Sequence, residues 1–271
     1  MAYLITPQQL AAIAGRETPL MASLALWMNR ICPEYEIDTA KEYCHFLAQA
    51  CHETDHFRTL REYASGKAYE GRLDLGNTKP GDGVRFKGRG IFQTTGRANY
   101  LQLGIRKGRR DLFINNPELL EQAEYAVWSA CEFWQTRSLN DVANHADGDI
   151  LKKKLRGKVT EVSPVEYISI TINGGDRGMA ERKKYYAIAQ QVLGEASAVP
   201  AVRELAELAG PSLRDDEPVH GAAKAVRKRD KKAARKAAKK GDKKAARKAA
   251  KKAAKKSAKK AAGKLSAKSP A

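Results

Sequence analysis

The sequence has few cysteines, and none of them stands in the short pairs that zinc sites and redox motifs use. Cys32, Cys44, Cys51 and Cys131 lie in apolar, helix-like surroundings, and no C-x-x-C pair occurs. This pattern argues against both a zinc site and a disulfide scaffold. We therefore expect four buried, reduced thiols. No second histidine or carboxylate stands at ligand spacing from His52, so we expect neither a metal nor another cofactor.

Long apolar runs and export signals are also missing. The N-terminus lacks a basic segment, and the apolar run Leu20 to Met28 begins too late and is too short for a signal peptide. No stretch reaches the roughly 18 apolar residues that a membrane-spanning helix needs. We therefore expect a protein that is made in the cytoplasm and carries no export signal.

Acidic residues are scarce at one end of the chain. Residues 221–271 contain 22 Lys or Arg and only two acidic residues, whereas residues 1–220 contain 28 basic and 29 acidic residues. The nearly neutral part is long enough to build one sizeable core. The composition therefore predicts a folded domain over residues 1–198, a linker over 199–220 and a polycationic Lys/Ala-rich tail over 221–271.

Lysine pairs recur in this tail every four residues, from Lys231/Lys232 to Lys259/Lys260. On a helix each pair would advance by about 40°, so no fixed apolar face would form for insertion into a membrane. Like charges four residues apart also oppose helix formation in free solution. We predict a disordered tail that becomes helical on a polyanion, such as lipopolysaccharide, anionic lipid, teichoic acid or nucleic acid. A purely solubilising tail is the alternative.

Helix caps and apolar periodicity predict a mainly helical body. Thr6-Pro7 starts a helix that Gly15 ends, and Thr39 to His52 carries a continuous apolar stripe. Ser163-Pro164-Val-Glu166 is a capping box, and a last helix covers Met179 to Leu193. Residues 64–90, which are rich in glycine, predict a long irregular loop or a small hairpin.

Two glutamates nine residues apart, Glu53 and Glu62, follow the predicted helix over Thr39 to His52. In an unbroken helix they would lie about 13.5 Å apart along the axis and on opposite faces. They can share one site only if the helix ends after Glu53, where Thr54-Asp55-His56 are poor helix formers. Glycosidic bond cleavage uses such a pair, with the carboxyls about 6.5–9.5 Å apart for inversion and about 5 Å apart for retention. Burial would favour the protonated, acid form of Glu53, and a more exposed Glu62 would stay ionised as the base. Glu70 is an alternative base.

Three ordered motifs extend this pattern: Ala48-Gln-Ala-Cys-His-Glu53, Gly88-Arg-Gly-Ile-Phe-Gln-Thr-Thr-Gly-Arg-Ala-Asn-Tyr100 and Ile172-Asn-Gly-Gly175. From Thr6 to Gly194 the chain resembles glycoside hydrolase family 19, and its compact bacteriophage endolysins more than its plant chitinases. The resemblance implies a lysozyme-like helical domain and inverting hydrolysis of β-1,4 bonds between N-acetylated sugars. The chain departs from the family where glycines often follow the acid.

The resemblance also implies a role for each matching residue. Glu53 matches the general acid, Glu62 the general base, Thr95 a residue that holds the attacking water, and Arg182 an arginine that orients the acid. The side chains expected to contact substrate are Gln93, Asn99, Asn173 and, by stacking on a sugar face, Tyr63.

Together these observations predict a monomeric endolysin that hydrolyses peptidoglycan glycan strands, stays in the host cytoplasm until it is released to the cell wall or periplasm, and binds anionic envelope polymers through its tail. A chitinase is one alternative. A histone-like, DNA-binding role of the tail is another, although the neutral body contains no nucleic-acid-binding module.

Overall fold

The computed structural model describes residues 3–196. The predicted linker over 199–220 and the predicted tail over 221–271 lie outside the described residues. So does the end of the predicted domain, residues 197 and 198.

The mainly helical prediction is confirmed. The helices are α1 (Pro7–Ala14), α2 (Met21–Ile31), α3 (Ala40–Glu53), α4 (Asp82–Arg85), α5 (Arg97–Arg106), α6 (Leu112–Asn115), α7 (Ala123–Thr136), α8 (Leu139–Ala143), α9 (Pro164–Asn173) and α10 (Met179–Ala196). Single 3₁₀ turns cover Cys32–Tyr35, Lys67–Tyr69, Leu73–Leu75 and Pro117–Glu121.

Side-chain caps set the helix starts where the sequence predicts them. The Thr6 hydroxyl accepts the backbone N–H of Gln9 at the start of α1, and Thr39 does the same for Glu42 at the start of α3. Ser163 begins α9 with a capping box. In each box the residue three positions on bonds back to the cap, so two free backbone N–H groups are satisfied at once.

Helix α3 is the centre of the fold. Its side chains are buried on every face from Glu42 to Cys51, and it packs most extensively against α10. Because a helix surrounded on all sides has little freedom to shift, the end of α3 at Glu53 is a rigid platform. All four cysteines are buried, as predicted.

The hairpin lies in a different place from the one predicted. Strands β1 (Leu151–Leu155) and β2 (Lys158–Val162) pair antiparallel around Arg156 and Gly157, both of which have positive φ, at 49° and 83°. Such a two-residue turn suits the twist of a hairpin. Residues 64–90 form the long irregular loop that was one of the two predicted alternatives, with short helical turns held by the segment's own hydrogen bonds.

Among residues 3–196, no helix is both long and apolar enough to cross a membrane. Nor do the His, Cys, Asp and Glu side chains of this range form a group of three or more that could hold a metal ion.

His45 is a buried polar residue without a polar partner. It is fully buried in α3, neither ring nitrogen has a hydrogen-bond partner within the described part of the chain, and the ring stacks on Tyr186 at 4.2 Å between centroids. Burial lowers the pKa of His45 to about 3; the Asp147 carboxylate opposes this and the Lys41 ammonium adds to it. The folded protein therefore needs a neutral His45.

We predict that His45→Phe flattens the acid limb of the stability curve. Between pH 6.5 and about 3 the unfolded state binds a proton at this site and the folded state does not. Stability is therefore lost as the pH falls through this window, by at most about 1.4 kcal/mol per pH unit. Urea unfolding from pH 7 to 4 measures the slope. The exposed His145→Gln is the matched control, and an equal change in both variants would contradict the prediction.

Candidate active site

The carboxylate of Glu53 is held by a chain of buried hydrogen bonds at the end of α3. Arg182 of α10, which is 1% exposed, donates through Nη2 to Glu53 Oε1 at 2.5 Å and through Nη1 to Gln49 Oε1 at 2.7 Å. Gln49 in turn donates to the hydroxyl of Ser169 in α9 at 2.9 Å. Three helices therefore fix the orientation of Glu53, and Arg182 lies where the sequence prediction puts it.

Helix α3 ends immediately after Glu53, as the two-glutamate hypothesis requires. Asp55, His56 and Phe57 then adopt positive φ angles of 49°, 63° and 58°, a left-handed conformation that costs about 1–2 kcal/mol per residue without glycine. Thr54 stabilises this turn, because its buried hydroxyl donates to the carbonyl of Ala50 at 2.6 Å and accepts the N–H of Phe57 at 3.0 Å. The Phe57 ring is fully buried in the core.

Side chains of the same turn reach toward the Glu62 segment. The hydroxyl of Tyr63 donates to Asp55 Oδ2 at 2.7 Å, and the His56 ring contacts both Asp55 at 3.1 Å and the Tyr185 hydroxyl at 2.5 Å. Hydrogen bonds from Tyr63 and then His56 lower the pKa of Asp55. Tyr63, whose ring is 74% exposed, is thus tied at its hydroxyl while its ring faces solvent.

Helix α10 anchors the other side of the turn. Glu181 accepts a hydrogen bond from Tyr185 at 2.9 Å and lies 2.6 Å from the His52 ring. Burial alone would raise the pKa of Glu181, but the hydrogen bonds from Tyr185 and His52 outweigh it and lower the pKa. The residues on both sides of Glu53 along the chain are therefore fastened to α10.

Glu62 lies in a short extended segment that pairs with residues 88–90. Its N–H donates to the carbonyl of Gly88 at 3.0 Å, and its Oε2 accepts the Tyr69 hydroxyl at 2.9 Å. A Cβ at Gly88 would come within 2.8 Å of Gln93 Oε1 and 3.1 Å of Glu62 Oε2, so a larger residue there would displace these two side chains. Burial and the bond to Glu62 both raise the pKa of Tyr69.

Two buried oxygens at this point have no donor among residues 3–196. They are Oε1 of Glu62 and Oε1 of Gln93. A buried acceptor without a partner costs about 1–3 kcal/mol, and such atoms are uncommon enough in folded proteins to need an explanation. Gln93 Oε1 and the carboxyl group of Glu62 both lie beside Gly88, so a donor with two hydrogens, such as a water molecule, is of the right kind to satisfy the two oxygens.

The other predicted site residues of the second motif surround Gln93. Gln93 itself has a positive φ of 48°, and its carbonyl accepts the hydroxyl of Thr95 at 2.9 Å. The side-chain amide of Asn99 donates to the carbonyl of Thr95 at 2.7 Å. Glu62, Gln93, Thr95 and Asn99 thus form one connected group on two adjacent segments.

Asn173 is exposed at the end of α9, and its amide donates to the carbonyl of Arg177 at 3.0 Å. Its contacts do not connect it with Glu53 or Glu62. The substrate-contact role of Asn173 stays a prediction, as do the roles of the other site residues.

Both carboxylate oxygens of the alternative base, Glu70, are occupied by hydrogen bonds from the backbone. Its two carboxylate oxygens accept the backbone N–H groups of Gly81 at 2.7 Å and Gly83 at 2.8 Å. A Cβ on Gly83 would approach the backbone nitrogen of Glu70 to 2.5 Å, so the two segments are in close contact. These bonds make Glu70 a brace of the glycine-rich loop and favour Glu62 as the base.

Several residues of the site were not identified from the sequence. Gln49 stands four residues before Glu53 inside an otherwise apolar stripe, and that spacing is a signal that could have identified it as a partner of the same arginine. Ser169 and Glu181 carried no comparable signal, because their partners lie more than 100 positions away along the chain.

Comparison with the curated sequences finds similarity to glycosyl hydrolase family 19. No protein-family model matches the chain. A glycosyl hydrolase family 19 domain-containing protein of Haemophilus influenzae is 29% identical over 125 residues, which are 46% of this chain and 51% of the relative. The predicted relationship to family 19 is confirmed. The chain spans about half the length of this family 19 relative.

Solved structures of family 19 enzymes are similar to the chain at low identity. Chitinase C from Streptomyces griseus HUT6037 is 16% identical, with a TM-score of 0.49 over 71% of this chain and 94% of that one. A bacterial family 19 chitinase gives 18% identity and a TM-score of 0.48 over 71% and 96%. The class IV chitinase from Zea mays is 18% identical, with a TM-score of 0.43 over 70% of this chain and 82% of that one.

We predict that Thr54→Val lowers the free energy of unfolding by about 1–3 kcal/mol, because it leaves the N–H of Phe57 buried without its acceptor. Thermal unfolding measures this as a drop of several degrees in Tm. Thr59→Val, at a half-buried position in the same segment, is the matched control. An unchanged Tm for Thr54→Val would show that the turn does not depend on this hydroxyl.

Proposed function

We propose that the chain is a glycoside hydrolase that cleaves β-1,4 bonds of peptidoglycan glycan strands with inversion, as an endolysin does. The observation that carries the proposal is the contrast between the two glutamates. Glu53 is braced through one oxygen by Arg182, whereas Glu62 has one oxygen bonded to Tyr69 and one buried oxygen without a donor. One carboxyl is oriented to give a proton, and the other is ready to accept one.

Glu53 acts as the general acid. It donates its proton to the glycosidic oxygen as the bond to the anomeric carbon breaks, and the leaving sugar departs as an alcohol. Arg182 fixes the position of the carboxyl and stabilises the negative charge that remains on it. Because Arg182 is itself buried and held by Gln49, this charge is met by a donor that does not need to reorganise.

Glu62 acts as the general base. A water molecule that donates one hydrogen to Glu62 Oε1 and the other to Gln93 Oε1 would direct its lone pair away from both. As the water attacks the anomeric carbon, its proton passes to Glu62, and the new C–O bond forms on the face opposite the leaving group. Thr95 supports this water indirectly, because its hydroxyl donates to the backbone carbonyl of Gln93, whose side chain offers the second acceptor.

The proposal that peptidoglycan is the substrate is supported by the endolysin-like motifs and by the polycationic tail, whose charge is complementary to that of an anionic cell envelope. Release from the host cytoplasm to the cell wall is part of the same proposal. Chitin shares the β-1,4 link between N-acetylated sugars, so it belongs in the same test.

We predict that Glu53→Gln and Glu62→Gln each lower the rate of glycan cleavage by about 10²- to 10⁴-fold, the usual contribution of a positioned acid or base. Mass analysis of fragments from purified peptidoglycan and from chitin oligomers measures the products. Glu70→Gln is the matched control, and we expect it to keep activity within about tenfold of the natural chain because Glu70 braces the loop.

Full activity of Glu53→Gln would refute the mechanism. A large loss in Glu70→Gln with little loss in Glu62→Gln, at equal thermal stability, would assign the base to Glu70. Anhydro-muramyl ends would show a lytic transglycosylase, which needs one acid and no positioned water. Cleavage of chitin oligomers but not of peptidoglycan would replace the proposed substrate by chitin.

A further inference from the structure

Positive charge is concentrated in one internal segment of the domain, far along the chain from the tail. Residues 71–110 contain ten Lys or Arg and two acidic residues. Both acids are already engaged by arginines, Asp74 by Arg72 and Asp82 by Arg97. Acids outside the range pair with two more of its arginines, Arg89 with Glu121 and Arg106 with Glu132. This basic segment, as we call residues 71–110, therefore keeps six of its ten cations without an ion pair among residues 3–196.

A surface cleft of about 440 Å³ opens within the basic segment. Lys79, Arg85 and Arg97 provide its charged lining, together with Asp82, and Ile114 and Asn115 provide its other wall. A cleft of this size accommodates a few residues of a peptide or a substituent of a polymer. Four of its lining side chains are charged, so a charged group of a ligand can bind there.

The cleft keeps a net positive charge after its internal contacts are counted. Asp82 is 1% exposed and accepts the Arg97 guanidinium and the backbone N–H groups of Thr78 and Lys79. The bond to Arg97, foremost, lowers the pKa of Asp82. Asp82 is thus ionised, and its charge is already paired with Arg97, so it does not neutralise a second cation of the cleft.

The other two cations face the cleft without an anionic partner in the described part of the chain. Arg85 donates through Nη2 to the uncharged carbonyls of Ile114 at 2.9 Å and Asn115 at 3.0 Å. These bonds orient its guanidinium and leave its charge uncompensated. The exposed Lys79 ammonium has no hydrogen bond or ion pair among residues 3–196. One oriented guanidinium and one exposed ammonium in the same cleft are suited to a carboxylate or another small anion.

The cleft is preorganised by the same loop that supports the candidate active site. Glu70 fixes the N–H groups of Gly81 and Gly83 on its rim. Arg97 follows Thr95 by two positions and begins α5, the helix on which Asn99 stands. The cleft therefore lies on the same short stretch of chain that bears the proposed sugar contacts, and a substituent of the bound glycan is the natural ligand for it.

We propose that this cleft binds free carboxylates of the peptide attached to the glycan strand, and so distinguishes peptidoglycan from uncharged β-1,4 glycans. The proposal rests on the proposed function. Strands of N-acetylglucosamine carry no charge, and strands freed of peptide by an amidase carry only the lactyl carboxylate of each muramic acid. The peptides on peptidoglycan add their own carboxylates at regular intervals, farther from the sugar ring. Lys79 and Arg85 bind these carboxylates, and Arg97 with Asp82 holds the shape of the cleft.

The test compares two double variants of the full chain with equal loss of charge. Lys79→Gln/Arg85→Gln removes the cations of the cleft, and Arg109→Gln/Arg110→Gln removes two exposed cations of the basic segment outside it. The substrates are peptidoglycan and the same strands freed of peptide by an amidase. We expect the cleft variant to lose about tenfold in kcat/KM on peptide-bearing strands, mostly through KM and by the usual effect of a charge-assisted contact, and to be unchanged on peptide-free strands.

Equal losses for the two double variants, or an equal loss of the cleft variant on both substrates, would overturn the proposal. The single variant Lys79→Gln keeps the Arg85 hydrogen bonds, so it controls for misfolding of the double variant, and its thermal unfolding is recorded. We expect Lys79→Gln to lose part of the activity on peptide-bearing strands and none on peptide-free strands.

A binding measurement separates this proposal from the proposed function. Titration of the full natural chain with an acidic muramyl peptide, followed by calorimetry, needs no cleavage. Binding that disappears in the cleft variant supports the proposal even if no glycan is cut, and no binding to the natural chain overturns it. Stronger competition by an oligonucleotide of equal charge than by the peptide would also overturn it, in favour of a phosphate ligand.

Discussion

The left-handed turn at Asp55, His56 and Phe57 is the constraint on which the candidate site depends. Without it, α3 would continue and carry Glu62 to the opposite face of the helix from Glu53. Three positive φ angles without glycine cost several kcal/mol. The turn persists because each of its parts is bonded or buried: the Thr54 hydroxyl holds the backbone, the Phe57 ring fills the core, and the side chains at 55 and 56 are tied to Tyr63 and α10.

Most polar atoms near this turn have hydrogen-bond partners, and the buried exceptions among residues 3–196 include Arg182 Nε as well as one oxygen each of Glu62 and Gln93. Glu70 uses both oxygens on backbone N–H groups, and Glu53 is held by an arginine that a glutamine holds in turn. The unpartnered oxygens of Glu62 and Gln93 stand out against this background. A buried acceptor without a hydrogen-bond partner destabilises the fold. The proposed reaction would need a proton acceptor at Glu62, which is a reason for this oxygen to stay without a partner.

Much of the fold could be predicted from the sequence, because caps and apolar periodicity are local signals. The starts at Thr6, Thr39 and Ser163 and the end of α3 at Glu53 all depend on residues within four positions of one another. The hairpin could not be located, because Lys152, Lys153 and Lys154 hide the alternation of a strand, although Lys153 in fact lies over the Tyr167 ring at 4.0 Å. The hydrogen-bond chain that links Glu53 to Gln49 and Ser169 also could not be predicted, because it joins helices that are remote in sequence. The prediction of Arg182 came from resemblance to a family and not from any local pattern.

We propose that the turn after α3 allows Glu53 and Glu62 to act on opposite sides of one glycosidic bond, with a water molecule between Glu62 and the sugar. The anomeric configuration of the first product tests it most directly, by proton NMR recorded within minutes of adding the enzyme to a soluble β-1,4 oligosaccharide of the cleaved type. The account predicts that the new reducing end appears first as the α-anomer and then mutarotates. First appearance of the β-anomer would mean retention through a covalent intermediate and would contradict the assignment of Glu62 as a base that activates water.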